Sequence, residues 1–449
     1  MSKSITNRLP GPNVLKSKLF SRTTIVAACA LAAVLPVTAS AHHILSGINM
    51  NGCELVLVHS ETDMIAKVKL PGLYGWQPAA CQHTAIADDE KTVYIMTDAV
   101  PPYNASIVTL RIKDIDWASG TIDARVEQTI QLDPAGTRSN MPVILQTNPA
   151  QPIMPWTRPS YTQTHGPTFL PHSKYFYVTH YTDNRVRGFK THANGTLDPR
   201  VVYASGDLTR QTHGVNFNDT GKVGLGVGYD YDMGDVRVYK PNRHTGQVEV
   251  TGKIRLGTQT AYGAIAHYAV WLDDRYAYVG TMQVAATSAT PAGSTIIEPS
   301  IWLLDVESMK ATRVIGTATS AVQGLLRSPS DVALAHGKLY VAEEDSWGER
   351  VDAPPGDYGR DGYVSIWDVS VPAQPRFIKR LAPGDGLPSD FRNAHTASAM
   401  ADDSAVYVSS FISDHLIKID TETDTVTKVY SMEDGLSMFH GEFAAGRNR

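Results

Sequence analysis

The 449-residue sequence predicts an all-β chain, a seven-bladed β-propeller closed by pairing of its N- and C-terminal strands. Three observations carry this. A β-rich unit recurs along the chain, Gly 35 and Pro 26 punctuate it with turns, and the last unit is split between the two ends. At 42% hydrophobic and 19% charged, the chain is too apolar for disorder and too interrupted for a polytopic membrane protein. A formal net charge of -5 argues against nucleic acid or an anionic membrane surface as partner.

Residues 1–41 read as a signal peptide. Basic Lys3, Arg8, Lys16, Lys18 and Arg22 precede an apolar run from Thr24 to Val37, then Ala39, Ser40 and Ala41 in small-x-small order. That run is shorter than the about 20 apolar residues a span needs, so cleavage is expected and no membrane span remains. The product, residues 42–449, is expected as a single propeller domain, periplasmic or secreted. Five of the 40 basic residues and none of the 45 acidic ones lie in the leader, so the mature net charge is about -10. Cys29 leaves with it. An oxidising compartment permits a disulfide between Cys53 and Cys81, with two buried thiols as the alternative.

The units follow in order. A His opens a short apolar stretch, a polar turn follows, and then a β-rich run. His83–Asp89 precedes Val93–Thr97, His165–Pro171 precedes Tyr175–Thr179, and His213–Asp219 precedes Val223–Val227. His267–Asp273 precedes Tyr276–Gly280, Asp331–Gly337 precedes Leu339–Ala342, and His395–Ala401 precedes Val406–Ser410. Second strands then follow, such as Val236–Tyr239, Ile301–Asp305 and Leu416–Asp420. Each unit is a small antiparallel sheet that cannot bury both faces alone, and radial stacking solves that. The seventh unit joins Phe439–Ala445 to Glu54–Val58 and Met64–Leu70; either His440 or His43 can open it. The excess length between anchors, at 133–163, 283–298 and 345–361, supplies candidate lids over one face.

Lys174–His180, Asp183–Val186 and Asn194–Leu197 resemble the YVTN-type and lactonase-like seven-bladed propellers, with His180 where that family has Asn. The resemblance implies the fold and, through the family, a lactonase or cycloisomerase activity.

Inner strands of a propeller line the central channel, so their first residues meet near its mouth. Seven anchors, His83, His165, His213, His267, Asp331, His395 and His440, thus come from all round the chain to one axis. Packing gives no reason to crowd imidazoles, and charging several in one channel is costly. A metal removes that cost by taking neutral imidazole lone pairs. An all-imidazole set with one carboxylate points to copper, with zinc or iron as alternatives. The ring resembles that of copper-cluster propellers such as nitrous oxide reductase and thiocyanate dehydrogenase; the cupredoxin domain expected of the former is absent.

Hairpins on the same face add Asp98, Tyr103, His180, Asp183, Asp230, Asp232, Glu343 and Glu344. Most Asp there serve turns. Glu343, Glu344 and Asp230 are the expected proton-handling residues. The leading expectation is a copper-dependent oxidoreductase acting on a small-molecule substrate, with a possible periplasmic redox partner. The alternatives are metal binding or trafficking without turnover, and a lactonase-like enzyme; the last wants Arg beside His and Glu, and no anchor is Arg. Phosphate-binding Gly loops, Cys-x-x-Cys pairs and Gly-x-Ser-x-Gly elbows are all missing from the sequence.

Overall fold

A four-stranded antiparallel sheet has two faces and must bury them against something else. The computed structural model shows how this chain does so. It describes residues 43–49, 53–70, 79–99, 105–132, 164–180, 185–208, 212–228, 235–257, 261–262, 265–282, 295–296, 299–316, 326, 328–344, 362–410, 413, 415–431 and 439–443. The leader 1–41, the lid candidates apart from the short strand Thr295–Ile296, and Tyr103, Asp183, Asp230 and Asp232 lie outside them.

Among the described residues, seven four-stranded antiparallel units follow one another. Their first strands are Ala79–Ile86 in blade 1, Thr164–Phe169 in blade 2, Thr212–Phe217 in blade 3 and Ile265–Trp271 in blade 4. Ser328–Ala335 opens blade 5, Ala394–Ala399 blade 6 and Phe439–Phe443 blade 7. Each first strand lies against that of the next blade, and Phe439–Phe443 lies against those of blades 6 and 1, so the ring closes.

Blade 7 is the split one. Phe439–Phe443 pairs antiparallel with Ile44–Asn49, which pairs in turn with Glu54–His59 and then Met64–Lys69. This decides which His opens the seventh blade. His440 stands on the innermost strand opposite Ile48, whereas His43 precedes the second strand at its far end. There the His43 amide donates to Glu90 Oε1 and its ring faces Glu61.

Seven apolar clusters each fill one interface between neighbouring blades. Leu55 and Leu57 of blade 7 meet Val93 and Ile95 of blade 1; Tyr94 and Met96 of blade 1 meet Phe176 and Val178 of blade 2. The pattern continues round to Leu45 and Val56 of blade 7 against Tyr407 and Leu416 of blade 6. Described residues of the second strands are mostly buried, as in Ala405–Ser410, while fourth strands such as Thr425–Ser431 are mostly exposed. Burial thus falls off with radius.

Tyrosines stitch the outer ends. Tyr94, Tyr177, Tyr278 and Tyr340, all on second strands, donate to Gly195, Gly246, Pro372 and Asp424 in the turn between the third and fourth strands of the following blade. The Asn194–Leu197 motif is one such turn: Gly195 sits at φ 84°, and a Cβ there would lie 2.6 Å from Thr92 Oγ1.

Cys53 and Cys81 are bonded. The bond joins the split blade to the first strand of blade 1, two residues before His83. Reducing it, or replacing both cysteines by Ser, is expected to cost about 3.5 kcal/mol for a closed loop of this length. Urea unfolding of wild type and double variant under oxidising conditions measures that difference.

Candidate functional site

The first strands do more than line the axis. Six of the seven shift by a residue at or beside the anchor, while Phe439–Phe443 pairs with Ile44–Asn49 without a shift. In blade 3 the skipped residue is His213, in blade 5 it is Ser330, and in blades 4 and 6 the shift spans His267–Tyr268 and His395–Thr396. In blade 1 the shift falls on Gln82 and in blade 2 on Gly166–Pro167, next to His83 and His165. A bulge frees one residue from the pleat and re-aims its side chain.

Five imidazoles form one continuous row. Ring centroids are 4.6 Å apart for His83–His165, 4.5 Å for His165–His213, 4.1 Å for His213–His267 and 5.8 Å for His267–His395. All five are between 1% and 7% exposed. His83 Nε2 and His165 Nδ1 face each other at 2.7 Å. His267 Nδ1 donates to the Ser330 carbonyl at 2.6 Å, which fixes its tautomer with the lone pair on Nε2. His395 Nδ1 contacts Glu344 Oε1 and lies 3.0 Å from Ser330 Oγ. Tyr268 packs edge-on to both His213 and His267.

Thr179 ties the row's backbone together, its hydroxyl lying 2.9 Å from the His165 carbonyl and 2.8 Å from that of His213. The two strands approach so closely that a Cβ on Gly166, at φ 53°, would lie 2.5 Å from Gly214 Cα. Gly is required there for both reasons.

The Asp331 carboxylate accepts the amides of Val332 (2.7 Å) and Ala397 (2.9 Å). The bulged Ser330, one position earlier, sits between His267 and His395. Of the adjacent acids, Glu344 joins His395, while Glu343 pairs with Arg380 on the fourth strand, one guanidinium nitrogen lying 3.1 and 3.2 Å from its two oxygens. Alternation along a strand sends neighbours to opposite faces, which separates the two roles. Sequence reasoning missed Ser330 and Arg380, neither of which carries a local motif. The side chains of Asp98, His180 and His440, and all of Asp230, lie outside the described residues. Among the described residues, no group of three or more His, Cys, Asp or Glu side chains is arranged to hold a metal ion.

Burial and crowding together disfavour charge on two of the rings. Burial, then the neighbouring imidazoles with His267 first, hold His213 well below the ordinary histidine range. Burial, then His395, lowers His267 to about 4, against the opposing pull of Glu344 and the Ser330 carbonyl.

No family model and no curated protein sequence matches the chain. Solved structures do. A periplasmic gluconolactonase from Pseudomonas aeruginosa is 15% identical and has a TM-score of 0.56, with 90% of this chain and 99% of that one covered. The fold is that of a β-propeller. A candidate 6-phosphogluconolactonase from Bacteroides uniformis is 12% identical with a TM-score of 0.54, over 90% of this chain and all of the other. A functionally unknown protein from Desulfotomaculum acetoxidans is 11% identical with a TM-score of 0.54, over 89% of this chain and 99% of its own. At these identities the likeness is one of architecture.

Two predictions follow from the row. Gly166→Ala is expected to destabilise the chain by about 2–4 kcal/mol through strain and collision, read from its urea midpoint. In the metal-free chain His213 and His267 add little pH dependence above about pH 6.5, the unfolded value. Below it the unfolded state takes up protons that these two folded rings refuse, so stability falls as pH drops towards 4. His267 alone should cost about 2 kcal/mol at pH 5, measured as the difference between unfolding at pH 7 and pH 5.

Proposed function

We propose that the chain is an exported propeller hydrolase that opens the ring of a small lactone at the mouth of its channel. The observation that carries this is the buried His395–Glu344 pair at the head of the blade-6 first strand. The fold's likeness to a periplasmic gluconolactonase supports the reaction class, and the leader expected at 1–41 agrees with a periplasmic or secreted location.

In this mechanism the Glu344 carboxylate accepts the Nδ1 proton of His395, which orients the ring and makes Nε2 the basic nitrogen. Nε2 takes a proton from water as the water oxygen adds to the lactone carbonyl. The ring C–O bond then breaks, and the departing alkoxide recovers the proton from the imidazolium. One lactone and one water give one hydroxy acid. Glu344 stabilises the imidazolium between the two transfers.

A second reading, copper-dependent oxidation or metal trafficking, is favoured by a different observation: the other four imidazoles exceed what a hydrolase needs. It requires a bound ion, and its ligands are taken up below.

Glucono-δ-lactone and related aldonolactones, followed by acid release in a pH-stat, test the hydrolase. Turnover above the uncatalysed rate is expected, with His395→Ala lowering kcat/KM by about 10²–10⁴-fold. Glu344→Gln should lower kcat more than it raises KM. Full activity in His395→Ala would remove this reading.

A further inference from the structure

The two ends of the imidazole row are built differently. At one end, each ring meets an oxygen partner: His267 has the Ser330 carbonyl and His395 has Glu344. Such contacts fix a tautomer and orient a ring, as in many buried histidines. At the other end two rings meet nitrogen to nitrogen, His83 Nε2 against His165 Nδ1 at 2.7 Å. Both residues are buried, at 2% and 6% exposure, and both come from first strands carrying a bulge beside the histidine. The next ring, His213, packs against His165.

A facing pair of imidazole nitrogens is a donor set as well as a hydrogen bond. One nitrogen must carry the shared proton and the other accept it, so a cation that takes two nitrogen lone pairs in line can stand where that proton stands. Monovalent copper, with a filled d shell, is satisfied by two ligands in line; imidazole is among copper's favoured donors. Tetrahedral zinc needs four. A single charge is also the cheaper one to bury. Metal–imidazole bonds of about 2 Å place the two nitrogens about 4 Å apart. Admitting the ion therefore asks the rings to part by about 1.3 Å, a small movement for side chains carried beside bulges.

We propose that His83 and His165 form a two-coordinate site for monovalent copper, separate from the His395–Glu344 pair. On binding, the ring that held the shared proton on the facing nitrogen moves it to its other nitrogen. Two N–Cu bonds replace one N–H···N bond, no electron is transferred, and no proton is released overall. The proposal supplies ligands to the metal-based second reading and is independent of lactone hydrolysis.

Anaerobic titration of the purified, metal-free chain with copper(I), in competition with bicinchoninate, tests it. One equivalent should be withheld from the chelator, and His83→Gln and His165→Gln should each weaken retention at least tenfold while His395→Gln leaves it unchanged. X-ray absorption of the loaded wild type, which needs no variant to fold, should report two nitrogen neighbours. Failure to retain copper would overturn the proposal. So would retention unaffected by either substitution, which would place the ion elsewhere, or a copper environment of three or more ligands. Lactone turnover of the metal-free wild type is read in parallel, so either reading can fail alone.

Discussion

Everything in this molecule depends on the fact that a small antiparallel sheet has no side it can leave dry. Each blade here presents apolar residues on both faces, and each face is covered by the next blade, seven interfaces in all. An open arc of such blades would leave two faces bare, at roughly 25 cal/mol for each Å² of apolar surface. The ring must therefore close, and it closes by hydrogen bonds between the last strand and Ile44–Asn49. Placement of the site follows from this, because closure brings the heads of seven strands around one axis.

What those heads carry is then subject to electrostatics. Imidazoles packed ring to ring away from water resist charge, and burial and mutual repulsion hold His213 and His267 neutral. Neutral imidazoles have lone pairs to give. Whether these serve a proton, as at His395, or an ion, as argued for His83 and His165, is set by what each ring meets: a carboxylate in one case, another nitrogen in the other.

The ring architecture was legible because hydrophobic periodicity and turn residues recur with it, and His83, His165, His213, His267 and His395 were found by the same register. Ser330 was not. It precedes Asp331 by one residue, and a bulge shifts the strand by one residue without leaving a mark in composition. The acidic pair shows the same limit: Glu343 and Glu344 look like one feature in sequence, yet the pleat gives one to Arg380 and the other to His395. The motif of Asn194–Leu197 proved to be architecture, a turn that receives Tyr94. Arg380, some 37 positions from its partner, had no local signal at all.

The split blade also sets an order of events during synthesis. Strands Ile44–Asn49, Glu54–His59 and Met64–Lys69 emerge long before Phe439–Phe443, the strand that completes their sheet. Until then one edge of that sheet offers unpaired backbone groups, the situation that invites pairing with another chain. Cys81 follows Cys53 by only 28 residues. Once both have reached an oxidising compartment, the covalent link can hold the waiting sheet against blade 1. The remaining search, for Phe439–Phe443 to find its place, then starts from a fixed dock rather than a free end.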